Sequence, residues 1–254
     1  MSTYVLSDTR TLTGRSLRHI LRSPDTIITT AITPIALMLL FVYVLGGAIR
    51  IGSGQSYIDY MLPGILLITI ASGIAYTAYR LFLDLQGGIF ERFQSMPIAR
   101  SSVLWAHVLT SLVANLVSVG LVIGVALILG FRTGASAGAW LAVAGILILF
   151  TLALTWIAVL AGLSAKTVDG ASAFSYPLIF LPFISSAFVP TDSMPAPVAW
   201  FAENQPVTSI VDTMRALFAG QPVGSDIWVA LAWLVGILVV AYAVAIAKYR
   251  SRFN

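Results

Sequence analysis

The chain has 254 residues, of which 59% are hydrophobic and 9% charged, with a mean hydropathy of +0.95. Soluble domains carry about 25% charged residues, so this composition excludes one, and long Leu/Ile/Val/Ala runs in place of strict alternation exclude an outer-membrane barrel. The net charge of +4 is to be sorted by side of a bilayer and is no sign of nucleic acid, and with no Cys thiol and disulfide chemistry fall away.

Residues 1–25 are polar and basic, without an apolar core of signal-peptide length. Arg15, Arg18 and Arg22 share one helical face and Leu17, Ile20 and Leu21 the opposite one, the pattern of an interfacial helix that anchors on anionic headgroups. A juxtamembrane tail is the plainer alternative. Six apolar stretches come next, at about 26–49, 61–83, 103–131, 139–163, 171–190 and 227–247, each near the roughly 20 residues a bilayer requires. With an even number of spans both termini share a side. That side holds eleven Lys/Arg, and the other holds only Arg50, Arg132 and Arg215, so the positive-inside rule predicts cytoplasmic termini.

The cytoplasmic stretch Asp84–Ser102 is the longest polar segment between two spans on that side. Gly87-Gly88 breaks the preceding helix, and Pro97 stops any helix that starts after the glycines. Between these breakers Ile89, Phe90, Phe93 and Met96 share a face, opposite Glu91, Arg92, Gln94 and Ser95. A helix of two turns is marginal alone, so this apolar wedge needs a bilayer surface or a groove on another protein.

In the third span Gly120 and Gly124, and in the fourth Ala158 and Gly162, have the spacing that permits close helix contact. The fifth contains Pro177 and Pro182, which should kink it. Tyr176, Phe180, Phe183 and Ser186 there would line a path for a bulky amphiphile; ordinary packing is the alternative. Between the fifth and sixth spans, Pro195–Ala202 and Val207–Ala219 read as two short helices. In the second, Val207, Ile210, Val211, Met214 and Leu217/Phe218 recur at helical spacing, with Asp212 and Arg215 off that stripe. The pair suits a re-entrant hairpin in the outer leaflet or a small folded outer cap.

Several chemistries lack their residues. None of the ten Asp/Glu lies in the middle of a span, which argues against an ion-coupled carrier. His107 and Asn115 are the polar candidates of the third span, and His107, near its cytoplasmic end, suits an interfacial or interhelical hydrogen bond better than a proton relay. Two His and no Cys assemble no metal motif. The nearest approach to a phosphate-binding loop, Gly162-Leu-Ser-Ala-Lys166-Thr167, lacks its first Gly and the Gly before the Lys. The chain shows no energy source of its own, which favours docking for the wedge at Ile89–Met96.

This order of elements resembles the permease subunits of type 2 ABC exporters, in the daunorubicin-resistance-like branch that exports drugs or lipids. Gly88-Ile-Phe-Glu-Arg-Phe-Gln-Ser-Met-Pro97 is similar to that family's cytoplasmic segment, and Tyr60-Met-Leu-Pro-Gly64 to its entry into the second span. Glu203-Asn-Gln-Pro-Val-Thr, running on to Asp212-Thr-Met-Arg215 and Gly220, is similar to its segment after the fifth span, with Asn-x-Pro in place of Asn-Pro.

The resemblance implies an all-α integral membrane fold. Its parts are six spans, an N-terminal interfacial helix, a cytoplasmic coupling helix and a re-entrant hairpin before the last span. It implies that two permeases, identical or related, pair and bind two cytoplasmic ATPase subunits. ATP and Mg would belong to those subunits, with no cofactor in this chain. Ile89, Phe90 and Phe93 would fill a groove of the ATPase, with Glu91 and Arg92 in polar contact. Lipophilic substrate would pass between the second and fifth spans of the two copies. A self-sufficient channel and an intramembrane lipid-modifying enzyme are the competing readings. The first requires a polar pore and the second clustered carboxylates or a nucleophile at one depth.

Overall fold

A computed structural model describes residues 24–46, 56–87 and 100–253, and for 24–30, 100–102 and 252–253 the backbone alone. Arg15, Arg18 and Arg22, and the segment holding Ile89, Phe90, Glu91, Arg92 and Phe93, lie outside the described residues. Among the described residues every regular element is a helix.

Helix α1 covers Pro24–Leu40 and runs on as a π-helical turn over Phe41–Leu45. Then come α2 (Tyr57–Gln86), α3 (Arg100–Ile128) and α4 (Ala137–Ser164). The next apolar segment is divided into α5 (Val168–Ala173), α6 (Ser175–Phe180) and a 3-10 turn at Leu181–Ile184. A second 3-10 turn, Thr191–Ser193, leads to α7 (Ala196–Asn204) and α8 (Pro206–Phe218), the two short helices expected there. Helix α9 covers Asp226–Phe253. Among the described residues four helices, α2, α3, α4 and α9, are long and apolar enough to cross a bilayer, and Ala31–Leu45 and Val168–Ile184 are shorter apolar segments.

The ends of these helices are set by local chemistry. Helix α3 stops at Ile128, three residues before the expected boundary, because Gly130 adopts φ +103. The Phe131 N–H then donates to Ala126 O at 2.9 Å and the Gly130 N–H to Leu127 O at 3.3 Å, a Schellman closure with Phe131 fully buried behind it. Gly220 closes α8 in the same way, at φ +67, with Gln221 N donating to Ala216 O at 2.9 Å. Ser136 caps α4, accepting from Ala139 N, and Thr167 caps α5, accepting from Gly170 N. The Gly162–Thr167 stretch is therefore the end of one helix and the cap of the next.

Helix α2 is the axis of the fold: 78% of its apolar window is buried, against 22% for α9. Met61, Leu62, Ile65–Ile68, Ile70 and Ile74 pack into one core with Phe131 and the apolar stripe of α8, including Ile210, Val211 and Met214. A second core forms where Trp156 meets Trp105 and Tyr242 edge-on at 5.2 and 4.7 Å, which joins α3, α4 and α9. Of the two small-residue spacings, one packs within the chain. A Cβ on Gly162 would lie 3.0 Å from Ala78 O, so α4 rests directly on α2, whereas Gly120 and Gly124 have nothing within 4 Å.

Hydroxyl side chains stitch the long helices together. Thr77 Oγ1 of α2 donates to Ser111 Oγ of α3 at 2.8 Å and Thr155 Oγ1 of α4 lies 3.4 Å from the same oxygen, while within α3 Asn115 Nδ2 donates to Ser111 O at 2.9 Å. Near the end of α2, His107 Nε2 lies 3.1 Å from Asp84 Oδ2, an interhelical pairing, one of the two roles expected of it. At the opposite end the loops interlock. Arg132 N donates to Asp59 Oδ1 at 3.1 Å, and Thr133 Oγ1 to Phe218 O at 2.8 Å.

Candidate functional site

The site forms where the segment after α5 leaves the helix. Pro182 stands in the first positions of the 3-10 turn, and Ser185 is fully extended at φ −146 and ψ −178. Ser185 Oγ donates to Pro182 O at 2.6 Å and accepts from Ala187 N at 3.1 Å, so one side chain satisfies both sides of the break. The buried Gln205, just before α8, donates to Ile184 O at 2.7 Å and to Leu181 O at 3.3 Å, which occupies carbonyls the ended helix leaves open. The stretch expected as the fifth span, 171–190, is thus helical only in part. Its helical part, Val168–Ile184, is about 25 Å long at 1.5 Å per residue, and the chain is non-helical over the next four residues.

The break packs on the first turns of α2. A Cβ on Gly64 would lie 2.6 Å from Ala187 Cβ, so only glycine lets the two backbones approach this closely. Tyr57 Oη donates to Phe188 O at 3.2 Å. Phe188 stacks on Phe41 of the π turn, at 4.7 Å, and on Phe183, at 4.9 Å, with interplanar angles of 15° and 19°, and Phe41 and Phe183 lie 6.3 Å apart, so the three rings form a triangle. Phe180 extends this stack, 6.2 Å from Phe183.

The four residues expected along a substrate path fall into two groups. Tyr176 and Phe180, one turn apart, are 62% and 61% exposed, and Phe183 is partly buried behind them in the aromatic stack. Ser186 is buried on the other side of the break, where its Oγ donates to Asp212 Oδ1 at 2.7 Å.

Ser186 belongs to a polar knot centred on Arg215. The guanidinium donates from Nε to Tyr60 O at 3.2 Å, from Nη1 to Asp212 Oδ1 at 2.6 Å and from Nη2 to Ser186 O at 2.8 Å. Its Cζ sits 3.7 Å from the centre of the Tyr60 ring. Three nitrogens, an ion pair and a π face are thus engaged by α2, the break and α8 at once. Thr208 of α8 adds a further tie, accepting from Ser186 N at 3.4 Å and donating to Ala202 O at 2.5 Å.

Burial pushes the Asp212 carboxyl above its ordinary value, while Arg215 and the Ser186 hydroxyl pull it down less strongly. A carboxyl raised in the folded state contributes stability that is present below its unfolded value and lost as pH rises through the folded one. The wild type should therefore gain thermal stability relative to Asp212→Asn as pH falls from neutral towards about 4, the ordinary carboxylate value. A melting-temperature difference between the two proteins that stays flat, or shrinks, over that range contradicts this.

The sequence model of the family described as ABC-2 type transporter matches residues 7–219. The chain belongs to that family. The daunorubicin resistance ABC transporter permease protein DrrB1 of Streptomyces coeruleorubidus is 26% identical over 254 residues, covering 97% of this chain and 87% of its own. The probable doxorubicin resistance ABC transporter permease protein DrrC of Mycobacterium tuberculosis is 27% identical over 241 residues, covering 94% and 86%. The matched region of this ABC-2 permease takes in the break, the aromatic stack and the whole knot, and ends at the residue before Gly220.

Sequence reasoning named the aromatic residues of this segment and missed the knot. Asp212 and Arg215, three apart on an amphipathic helix of a chain with 9% charge, were the available signal. Their partners Tyr60 and Ser186 lie 155 and 29 residues from Arg215, a separation no local pattern spans.

Proposed function

We propose that this permease is the transmembrane subunit of an ATP-driven exporter for lipophilic drugs or lipid-like molecules in a prokaryotic cell membrane. The single observation carrying this reading is the family match over residues 7–219, supported by near end-to-end similarity to a relative named for daunorubicin resistance. Two copies of a cytoplasmic ATPase hold ATP and Mg, and a second permease, identical or related, completes the assembly. Residues 1–25 form the interfacial anchor with Arg15, Arg18 and Arg22. Residues 26–254 form the transmembrane domain, in which α1 and the broken segment after α5 join the four long helices to make six spans. Both termini are cytoplasmic, and α7 with α8 form a re-entrant hairpin at the outer side, where α8 buries its apolar stripe against α2. Ile89, Phe90 and Phe93 dock into the ATPase, flanked by Glu91 and Arg92. Tyr176 and Phe180 offer an open aromatic face to an apolar substrate, with Phe183 backing it and Ser186 holding the break in place.

The test is extraction from native membranes in mild detergent and mass spectrometry of the proteins that accompany the permease. A stoichiometric ATPase with a phosphate-binding loop is the expected result. A permease that comes alone and moves solutes across liposomes without ATP would be a self-sufficient channel.

A further inference from the structure

We propose that Arg215 is a positioning residue that locks the outer turns of α2 to the break after α6, so that α2 carries a push from its cytoplasmic end to the aromatic face. The inference rests on the exporter reading above, since the push is supplied by an ATPase docked beyond Gln86.

Helix α2 is suited to transmit force. It is unbroken over 30 residues, about 45 Å at 1.5 Å per residue, and its one proline, Pro63, lies in the second turn. Its C-terminal end leads directly into the segment that carries Ile89–Phe93, and its N-terminal end carries Tyr60. A rod moves a distant site only if it is fastened there. Three fastenings converge within its first two turns: the guanidinium on Tyr60 O and the Tyr60 ring, Tyr57 Oη on Phe188 O, and Gly64 seated on Ala187. The first is the one that reaches all three elements, because the same guanidinium also holds Ser186 O of the break and Asp212 of α8. A lysine has the charge without the planar fork and cannot bond Tyr60 O, Ser186 O and Asp212 in these directions together. Beyond the clamp, Phe188 passes the position of the break to Phe183 and so to the exposed Phe180. Arg215 touches no part of that exposed face itself; it sets where the face stands relative to α2.

The experiment uses the permease purified from its own membranes together with the ATPase that accompanies it, reconstituted in liposomes with daunorubicin as the transported probe. Absence of any accompanying ATPase sinks the exporter reading and the rod with it. With the complex in hand, Arg215→Met should keep assembly and ATP hydrolysis near wild type while transport per ATP falls at least about tenfold, the scale of one lost charge-assisted hydrogen bond. Arg215→Lys should recover part of that ratio. Unchanged transport in Arg215→Met overturns the inference. So does a loss of transport matched by equal losses of ATP hydrolysis and complex yield, which marks a folding role only.

A second measurement needs no transported drug. The chain has no Cys, so a pair of spin labels can be placed at Ser56→Cys and Val189→Cys alone, which stand on either side of the clamp. Their separation should stay the same between nucleotide-free and ATP-trapped complexes, and should broaden in Arg215→Met. A wild-type separation that changes with nucleotide overturns the lock.

Discussion

Replacing Phe90 and Phe93 together by Asp is expected to abolish association with the ATPase while leaving membrane insertion intact. In a helix over Ile89–Met96 the sequence spacing would place both phenylalanines on the apolar face, with Glu91 and Arg92 on the polar side. A two-turn helix has little stability of its own, so its affinity for a partner rests on the few apolar side chains it inserts. Bringing carboxylates into an apolar groove costs several kcal/mol, and each ~1.4 kcal/mol is a factor of ten in the dissociation constant. Insertion is governed by the apolar spans on either side, which the substitutions do not touch. The check is the ratio of ATPase to permease after mild-detergent purification, beside the membrane-extracted yield of the variant. A normal ratio sinks the docking role of this segment.

Gly64→Val should be the most damaging single change at the break. The nearest atom to an added Cβ there is Ala187 Cβ, at 2.6 Å, with Phe188 Cζ at 3.3 Å. No rotamer change moves a Cβ, so either α2 or the break must shift. Overpacking of this kind costs about 1–3 kcal/mol of stability. The shift also reaches the clamp, because Tyr60 is one turn away on the same helix, so transport per ATP should fall further than the melting temperature implies. Gly124→Val is the control: nothing lies within 4 Å of its Cβ, and its stability should change by no more than about 0.5 kcal/mol. Thermal unfolding of both variants in detergent separates the two cases. Equal stability of Gly64→Val and Gly124→Val would mean that the close approach at Ala187 does not constrain the fold.

Much of this fold was legible in the chain because a bilayer imposes simple rules on sequence. Apolar runs of span length located α2, α3, α4 and α9, and the punctuation at Pro195 and Pro206 located α7 and α8. The spacing of Val207, Ile210, Val211 and Met214 identified the face of α8 that is buried. Local signals stop short at specific residues. Pro177 and Pro182 announced a disturbance, yet the length of helix lost after Ile184 depends on Gln205 and Thr208, which arrive from the far side of α7 to satisfy the opened backbone. Gly162 and Gly124 sit in equivalent small-residue spacings, and only the arrangement of neighbours made one a contact with α2 and left the other open.

The sequence by itself determined what kind of molecule this is, since hydropathy, helix punctuation and charge asymmetry are properties of short stretches acting on a bilayer or on water. It also marked Phe180, Phe183 and Ser186 as residues of one segment. Only the tertiary structure decided that Ser186 turns from the aromatic face into a knot with Arg215 and Tyr60. A guanidinium has to satisfy its donors wherever it is buried, and which carbonyls come within 3.2 Å is set by the packing of three helical elements from distant parts of the chain.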